Sequence, residues 1–400
     1  MQLKYKMLYN HQQQILDDFP KKHLLAWECG VGKTLAAIKL ADKINESTIV
    51  VCPKSLVRNW QEELKKFSDE PDKFIVMSKE NFKKDADKLL PVKTLIIDEA
   101  HYFSGMKSQM HKSLHKYIKK HKTEYVYMLT ATPYMSTAWN IYALARILGI
   151  DWNYMKFKAH FFNDVRMGQR IIPVQRSGME EEIARLVSIL GSTVKMEDCV
   201  DVPESVYIKE YFQLNQQQKK AIKDLVDVEH ICRWTKTHQI CGGTLKSDGY
   251  TEHQFFGGGK LERLLELIKE HPKIAVVCKY NNELEYISSK LKGIPHYIVN
   301  GATKDKHGTI EKINELNNGV ALINAKCSEG YNMPGVPVIV FYSYDFSLVN
   351  YVQIRERIQR INAIQKCTYI SLIVENTIDE DVYKTVVEKK QEFHIKIYEK

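Results

Sequence analysis

The sequence predicts two α/β units in tandem, each built on a parallel sheet with helices on its faces. Three observations carry this. Short apolar runs alternate with segments of helical spacing, and they do so twice, once in each half of the chain. The runs are dominated by Val, Ile and Leu, as buried strands are. The chain has 400 residues, a length that suits two domains of ordinary size.

In the first half, "HLLAW" (23–27), "STIVVCP" (47–53), "KFIVM" (73–77) and "TLIIDEA" (94–100) read as strands. "TLAAIKLADKI" (34–44) and "SLVRNWQEELKKF" (55–67) have helical spacing. In the second half, "KIAVVCK" (273–279), "HYIVNG" (296–301), "GVALINA" (319–325) and "PVIVFYS" (337–343) are strands. "NNELEYISSKLK" (281–292) and "LVNYVQIRERIQRI" (348–361) are helices. The expected domains are 1–202 and 203–400, the second with a helical lead-in at 203–260. Residues 135–260 read as largely helical, with looser loops at "NDVRMGQRIIPVQRSG" (163–178) and "CGGTLKSDGYTEHQFFGGGK" (241–260).

Composition narrows the function. The formal net charge is +9, which favours a polyanionic partner, nucleic acid first. No apolar run approaches a membrane span, and "MQLKYKMLYN" lacks a signal-peptide core. A cytoplasmic monomer without membrane partners is expected. The eight cysteines are scattered, which suits reduced thiols. His230, Cys232, His238 and Cys241 fit no usual zinc spacing, and a basic helix with buried cysteines explains them as well.

The chemistry concentrates in a few places. "WECGVGKT" sets Gly30, Val31 and Gly32 between a strand and a helix, followed by Lys33 and Thr34. Glycines allow a tight turn whose N–H groups cradle phosphates. Lys33 then reaches the outer phosphates of ATP, and Thr34 ligates Mg²⁺. A general loop of this type has Gly six residues before the lysine, where Trp27 stands. "LIIDEAH" places Asp98 and Glu99 directly after a buried strand, where ligands of open α/β sheets bind. Asp98 can hold Mg²⁺, and Glu99 can orient and deprotonate the attacking water. "MLTATP" adds Thr130 and Thr132 at another strand end. In "YVQIRERIQRI", Gln353, Arg357 and Arg360 share one helical face, with Val352, Ile354, Ile358 and Ile361 available to a core. The arginines could stabilise charge on a γ-phosphate, or the helix could be a solvated basic one.

Taken in order, these motifs resemble a superfamily-two helicase core, and within it the Swi/Snf-like DNA translocases. "LYNHQ" resembles the family's adenine-reading entry, with Gln12 as its glutamine. "VVCPKSLVRNWQEELKKF" is similar to the motif whose Pro-x-Ser turn touches the nucleic-acid backbone, here Pro53, Lys54 and Ser55. "DEAH" and "LTATP" follow. "VCKYNNELEYISSKL", "VNGAT" and the stretch from Cys327 to Gln365 resemble the second core, with Glu329, Gly330 and Asn332 in its Glu-Gly-x-Asn element. The resemblance implies two tandem RecA-like domains with ATP between them and Mg²⁺ as cofactor. It places Gly330 and Gln353 at the nucleotide, with Arg357 and Arg360 acting on it from the second domain. It places Lys279, Tyr280, Gly301 and Asn332, with the Pro53–Ser55 turn, against nucleic acid. The implied activity is a DNA-dependent ATPase motor that translocates on DNA and unwinds or remodels branched DNA. A duplex translocase that displaces proteins without separating strands, or the motor subunit of a restriction-type complex, uses the same core. A strand-separating element would distinguish them. The loop bearing Arg166, Arg170 and Arg176 is the candidate for it, with a solvated connection as the alternative.

Overall fold

The computed structural model describes residues 8–199, 204–225, 230–246, 253–327, 333, 335–356 and 366–398. Two units emerge: Met1–Val200 together with Glu392–Lys400, and Asp201–Gln391.

The first unit runs α1 (Asn10–Asp18), β1 (Lys22–Trp27), α2 (Lys33–Ile44), β2 (Thr48–Cys52), α3 (Val57–Phe67), β3 (Phe74–Ser78), α4 (Lys79–Asp85), β4 (Thr94–Asp98), α5 (Gln109–His121), β5 (Tyr125–Leu129), α6 (Ala138–Ile147) and α7 (Tyr154–Phe161). β6 (Phe162–Met167), β7 (Arg170–Gln175), α8 (Glu180–Leu190) and β8 (Gly191–Val194) follow. Six strands form one parallel sheet in the order β3-β2-β4-β5-β1-β8. β1 therefore hands on to β2 across the positions of β5 and β4. That reversal opens a crevice at the carboxyl ends of the strands, which is where such sheets bind ligands. β2 is buried along its whole length, and β1 over its last four residues, as apolar runs sandwiched by helices must be.

The second unit runs β9 (Val206–Phe212), α9 (Gln216–Lys223), α10 (His230–Cys241), β10 (Thr244–Lys246), β11 (His253–Phe255), α11 (Gly259–Glu270), β12 (Lys273–Cys278), α12 (Asn281–Lys290), β13 (His296–Val299), α13 (Lys306–Glu315), β14 (Gly319–Asn324), β15 (Val338–Phe341), α14 (Leu348–Arg355), β16 (Thr368–Val374) and α15 (Ile378–Tyr383). Its parallel sheet has the order β13-β14-β12-β15-β16-β9. Both faces are packed: Val277, Ile323 and Ile339 lie in one cluster, Val276, Leu322 and Val340 in the other. A buried polar group anchors α10 and α11 to this sheet. Asp379 accepts from His238 Nε2 at 3.2 Å, from Lys260 Nζ at 2.8 Å and from the Val374 N–H at 2.9 Å. Burial opposes the Asp379 charge, but Lys260 and His238 outweigh it and hold the carboxyl down at about 2.

The span 135–260 departs from the expectation of a largely helical region. It contains six strands among the described residues. The expected loop at 163–178 is instead the antiparallel hairpin β6–β7. In the other expected loop, β10 and β11 pair antiparallel. β8 and β9 extend the two main sheets at their edges.

Residues 392–400 return to the first unit. α16 (Gln391–Tyr398) buries Ile397 and Tyr398 in the first core, and the Tyr398 hydroxyl donates to the Ala131 carbonyl at 2.6 Å. No helix among the described residues is long and apolar enough to cross a membrane.

Candidate nucleotide and nucleic-acid sites

The Gly-rich turn lies between β1 and α2. Gly30 and Gly32 both have φ of +84°, a left-handed backbone that side chains rarely adopt. Gly32 is also hemmed in sterically: a Cβ there would stand 2.1 Å from Gln12 Nε2. Gln12 is buried and donates to the Gly32 carbonyl at 3.1 Å, while its oxygen accepts from the Tyr9 N–H. His11 Nε2 lies 2.9 Å from the Val31 carbonyl, so two α1 side chains fix the turn's backbone. Lys33 opens α2, and its ammonium donates to the Trp27 and Glu28 carbonyls at 2.9 and 3.0 Å. Thr34 follows on the first turn of the helix. Trp27 closes β1, and its indole N–H donates to Ser192 Oγ on β8 at 2.8 Å. The turn thus begins after Trp27, which explains why no glycine is needed there.

Asp98 closes β4. Its Oδ2 accepts from the Trp60 indole at 2.7 Å and its Oδ1 from the Glu99 N–H at 2.9 Å. Burial and the neighbouring Glu99 push its carboxyl up to about 6. Two acids held together under burial favour a cation. The donor set fits Mg²⁺: Thr34 and Asp98 are the residues that would hold it, together with phosphate oxygens. Among the described residues no group of three or more His, Cys, Asp or Glu forms a protein-only cage.

Glu99 has φ of +49°, unusual for a residue with a side chain. In that conformation its carboxylate meets His101. The buried His101 Nδ1 lies 3.2 Å from Glu99 Oε2 and 3.4 Å from both Thr130 Oγ1 and Thr132 Oγ1. Sheet order makes this possible, because β4 and β5 are neighbours. Sequence reasoning assigned no role to His101 or Trp60. The signal for His101 was its place in "DEAH". For Trp60 it was a large indole on a polar helix, whose N–H needs a partner when buried.

Pro53 is buried after β2, while Lys54 and Ser55 are exposed in the short helical turn that follows. In the second unit, Lys279 and Tyr280 follow β12 and are half-buried. The Lys279 ammonium sits 3.9 Å from the Phe346 ring centre, and burial brings it down to about 8. The Tyr280 hydroxyl lies 3.2 Å from His238 Nδ1. Gly301, in the turn after β13, is exposed, and a Cβ there would meet nothing within 4 Å. Packing therefore does not require a glycine at this turn.

Gln353 is buried on α14, as are Leu348, Val349, Tyr351, Val352 and Ile354, so the described part of this helix is embedded. Arg355 is held there too, with its carbonyl accepting from the Tyr369 hydroxyl at 2.9 Å. Arg357, Arg360, Ile358 and Ile361 lie outside the described residues, as do Glu329, Gly330 and Asn332. His238 faces Asp379, Cys241 is buried and Cys232 is exposed.

Comparison with known proteins adds the relationship. An SNF2-related domain matches residues 19–90, and a helicase conserved C-terminal domain matches 259–362. Over 92% of the chain, it is 23% identical to an uncharacterized ATP-dependent helicase of Mycoplasma pneumoniae, covering 39% of that protein. The same share is 23% identical to the chromodomain-helicase-DNA-binding protein 1-like of Mus musculus, covering 47% of it. It is 21% identical to the DNA repair and recombination protein RAD54-like of Gallus gallus, covering 63%. The chain thus spans less than two thirds of the length of these relatives. Among solved structures, the Sulfolobus solfataricus SWI2/SNF2 ATPase core in complex with dsDNA is 20% identical, with a TM-score of 0.44, covering 98% of this chain and 93% of that one. The two domain matches fall in order, one on each α/β unit, and in this the chain is similar to the SNF2-related, Swi/Snf-like superfamily-two helicases.

Proposed function

We propose that the chain is a DNA-dependent ATPase motor that couples ATP hydrolysis to translocation on DNA and to opening or remodelling branched DNA. The observation that carries this is the linkage at the carboxyl ends of the first sheet. Lys33 and the left-handed glycines lie at the turn after β1, an arrangement that supports an anion cradle, and Asp98 and Glu99 stand at the end of β4. His101 ties Glu99 to the hydroxyls that follow β5. In this reading a change at the γ-phosphate passes through Glu99 and His101 to the "TATP" segment.

In this reading Lys33 gives up its two backbone carbonyls to hold the outer phosphates, and the turn's N–H groups take the remaining oxygens. The chemistry that Mg²⁺ would supply there is neutralisation of charge developing on the phosphates. Asp98 and Thr34 would hold the ion, Glu99 would orient and deprotonate water, and His101 would keep Glu99 in place. Arg357 and Arg360 are proposed to meet the charge on the transferred phosphoryl group, and Gly330 and Gln353 to line the nucleotide. Lys54, Ser55, Lys279, Tyr280, Gly301 and Asn332 are proposed DNA contacts, mostly to phosphates, because a motor must tolerate every sequence. The names of the relatives, helicases and a DNA repair protein, support DNA as the track.

The test measures ATP hydrolysis with no DNA, single strands, duplex, forks and four-way junctions. Stimulation by duplex or branched DNA is expected. Hydrolysis indifferent to DNA, or stimulated by RNA alone, would overturn the proposal. Stimulation by duplex without any opening of forks would leave a duplex translocase.

A further inference from the structure

The hairpin β6–β7 is the element that neither the fold nor the nucleotide site requires. Its base is firmly mounted. Phe162 is buried and stacks on Trp139 with ring centres 4.6 Å apart. Gln175 accepts from the Ala138 N–H at 2.6 Å and donates to the Tyr134 hydroxyl at 3.1 Å. Tyr134 directly follows Pro133, so the hairpin stands on the continuation of the "TATP" segment. Beyond this base the ribbon is exposed, with Gly168 at φ +61° in its two-residue turn.

The register sorts its side chains. Asn163 faces Val174, Val165 faces Ile172, and Met167 faces Arg170, and these pairs share one face. Asp164 with Pro173 and Arg166 with Ile171 take the other. One face thus carries a continuous aliphatic stripe of Val165, Met167, Ile172 and Val174, all exposed, Met167 to 62%. A two-stranded ribbon has no core of its own, and such a stripe in water is unfavourable unless something covers it. The charges say what. Asp164 is paired with Lys158 at 2.8 Å, whereas Arg166, Arg170 and Arg176 form no ion pair among the described residues. Arg170 shares the face of the stripe, and Arg166 lies on the opposite face beside the exposed Ile171, so the ribbon offers a guanidinium on each side, which suits phosphates flanking exposed base faces. Pro173 lacks an N–H within β7, which disfavours pairing of this edge with another strand.

We infer that this hairpin is a strand-parting finger: its aliphatic stripe seats against the bases at a junction between paired and unpaired DNA, while Arg170 on that face and Arg166 on the opposite face meet the phosphates of the two parted strands. This rests on the motor reading above. Aliphatic side chains separate stacked bases elsewhere in nucleic-acid recognition, at the cost of unstacking. Mounting on Tyr134 and Ala138 lets the finger move with the segment that His101 links to Glu99.

The test uses the full chain and the variant Met167→Gln/Ile172→Thr/Val174→Thr, which removes the stripe and keeps the arginines. A second variant replaces residues 164–173 with two glycines. Fork opening should fall about ten-fold or more in both, with duplex-stimulated hydrolysis within about two-fold of the parent. A fluorescent base analogue at the fork junction should brighten with the parent chain and stay quenched with the variants. Unchanged fork opening would overturn the proposal. So would a parallel fall of hydrolysis and opening, which marks a general binding surface, or a parent dimer that the variants dissolve, which marks a second copy as the occupant. A parent chain stimulated by duplex but opening no fork defeats the finger and leaves the motor; one not stimulated by DNA defeats the motor reading itself.

Discussion

Asp98 and Glu99 are adjacent in sequence, yet the fold gives them opposite situations. Asp98 is pinned by Trp60 and by the backbone, and its charge is opposed by burial. Glu99 is turned by a left-handed backbone onto His101. Glu99→Gln should keep ATP binding and lose turnover by about a hundred-fold or more, because the general base is gone while the cradle stays. Near-normal turnover in that variant would refute the role. Lys33→Ala should instead lose the nucleotide grip. Asp98 sets a pH dependence. Its folded-state carboxyl, at about 6, lies above the ordinary 3.8, so the neutral form favours folding below 3.8 and that benefit is lost as pH rises through 6. Asp98→Asn should therefore raise the melting temperature of the ligand-free chain by a few degrees at pH 7, and hardly at all near pH 4. Arg357→Lys and Arg360→Lys should bind ATP almost normally and hydrolyse it poorly, since an ammonium lacks the planar fork; rescue by lysine would count against both assignments.

At the scale of elements, the strands were legible because parallel strands buried on two faces read as unbroken apolar runs, such as "TIVVC" and "GVALIN". The Gly-rich turn and the acidic strand end were legible because few residue types can do that chemistry. The hairpin was not. Its alternation is broken by Ile171-Ile172-Pro173, and its arginines resemble a solvated connection, although the two-residue Gly168-Gln169 turn was the available signal. β8 is only four residues long and follows a helix directly, so no local pattern announces it. Trp60, His101 and Asp379 find partners tens of residues away, which spacing cannot reveal. Asp379 supports a test of the second unit alone: Lys260→Met leaves a buried carboxylate short of its cation, at a cost of about 3 kcal/mol. Chemical denaturation followed by a probe in β16 should show the loss, and a neutral result would mean that His238 alone suffices.

Across the whole molecule, a surplus of positive charge and exposed groups such as Lys54 predict electrostatic DNA binding. Affinity should fall roughly ten-fold for each two- to three-fold rise in salt, and Lys54→Ala should weaken all sequences about equally. Salt-independent binding would exclude this mode. The return of residues 392–400 to the first unit has a different kind of consequence, one of timing. The Tyr398 hydroxyl meets the Ala131 carbonyl across a separation of 267 residues. A ribosome adding residues at its usual pace needs roughly 15–50 s to bridge that separation. During that interval the first sheet exists as a nascent domain with the place of Ile397 and Tyr398 still open. The second unit must emerge before the first is closed, so the order of synthesis and the order of completion are inverted. Pausing between codons 200 and 391 would prolong the open state, and chaperone occupancy on stalled chains should drop once residue 398 has cleared the exit tunnel.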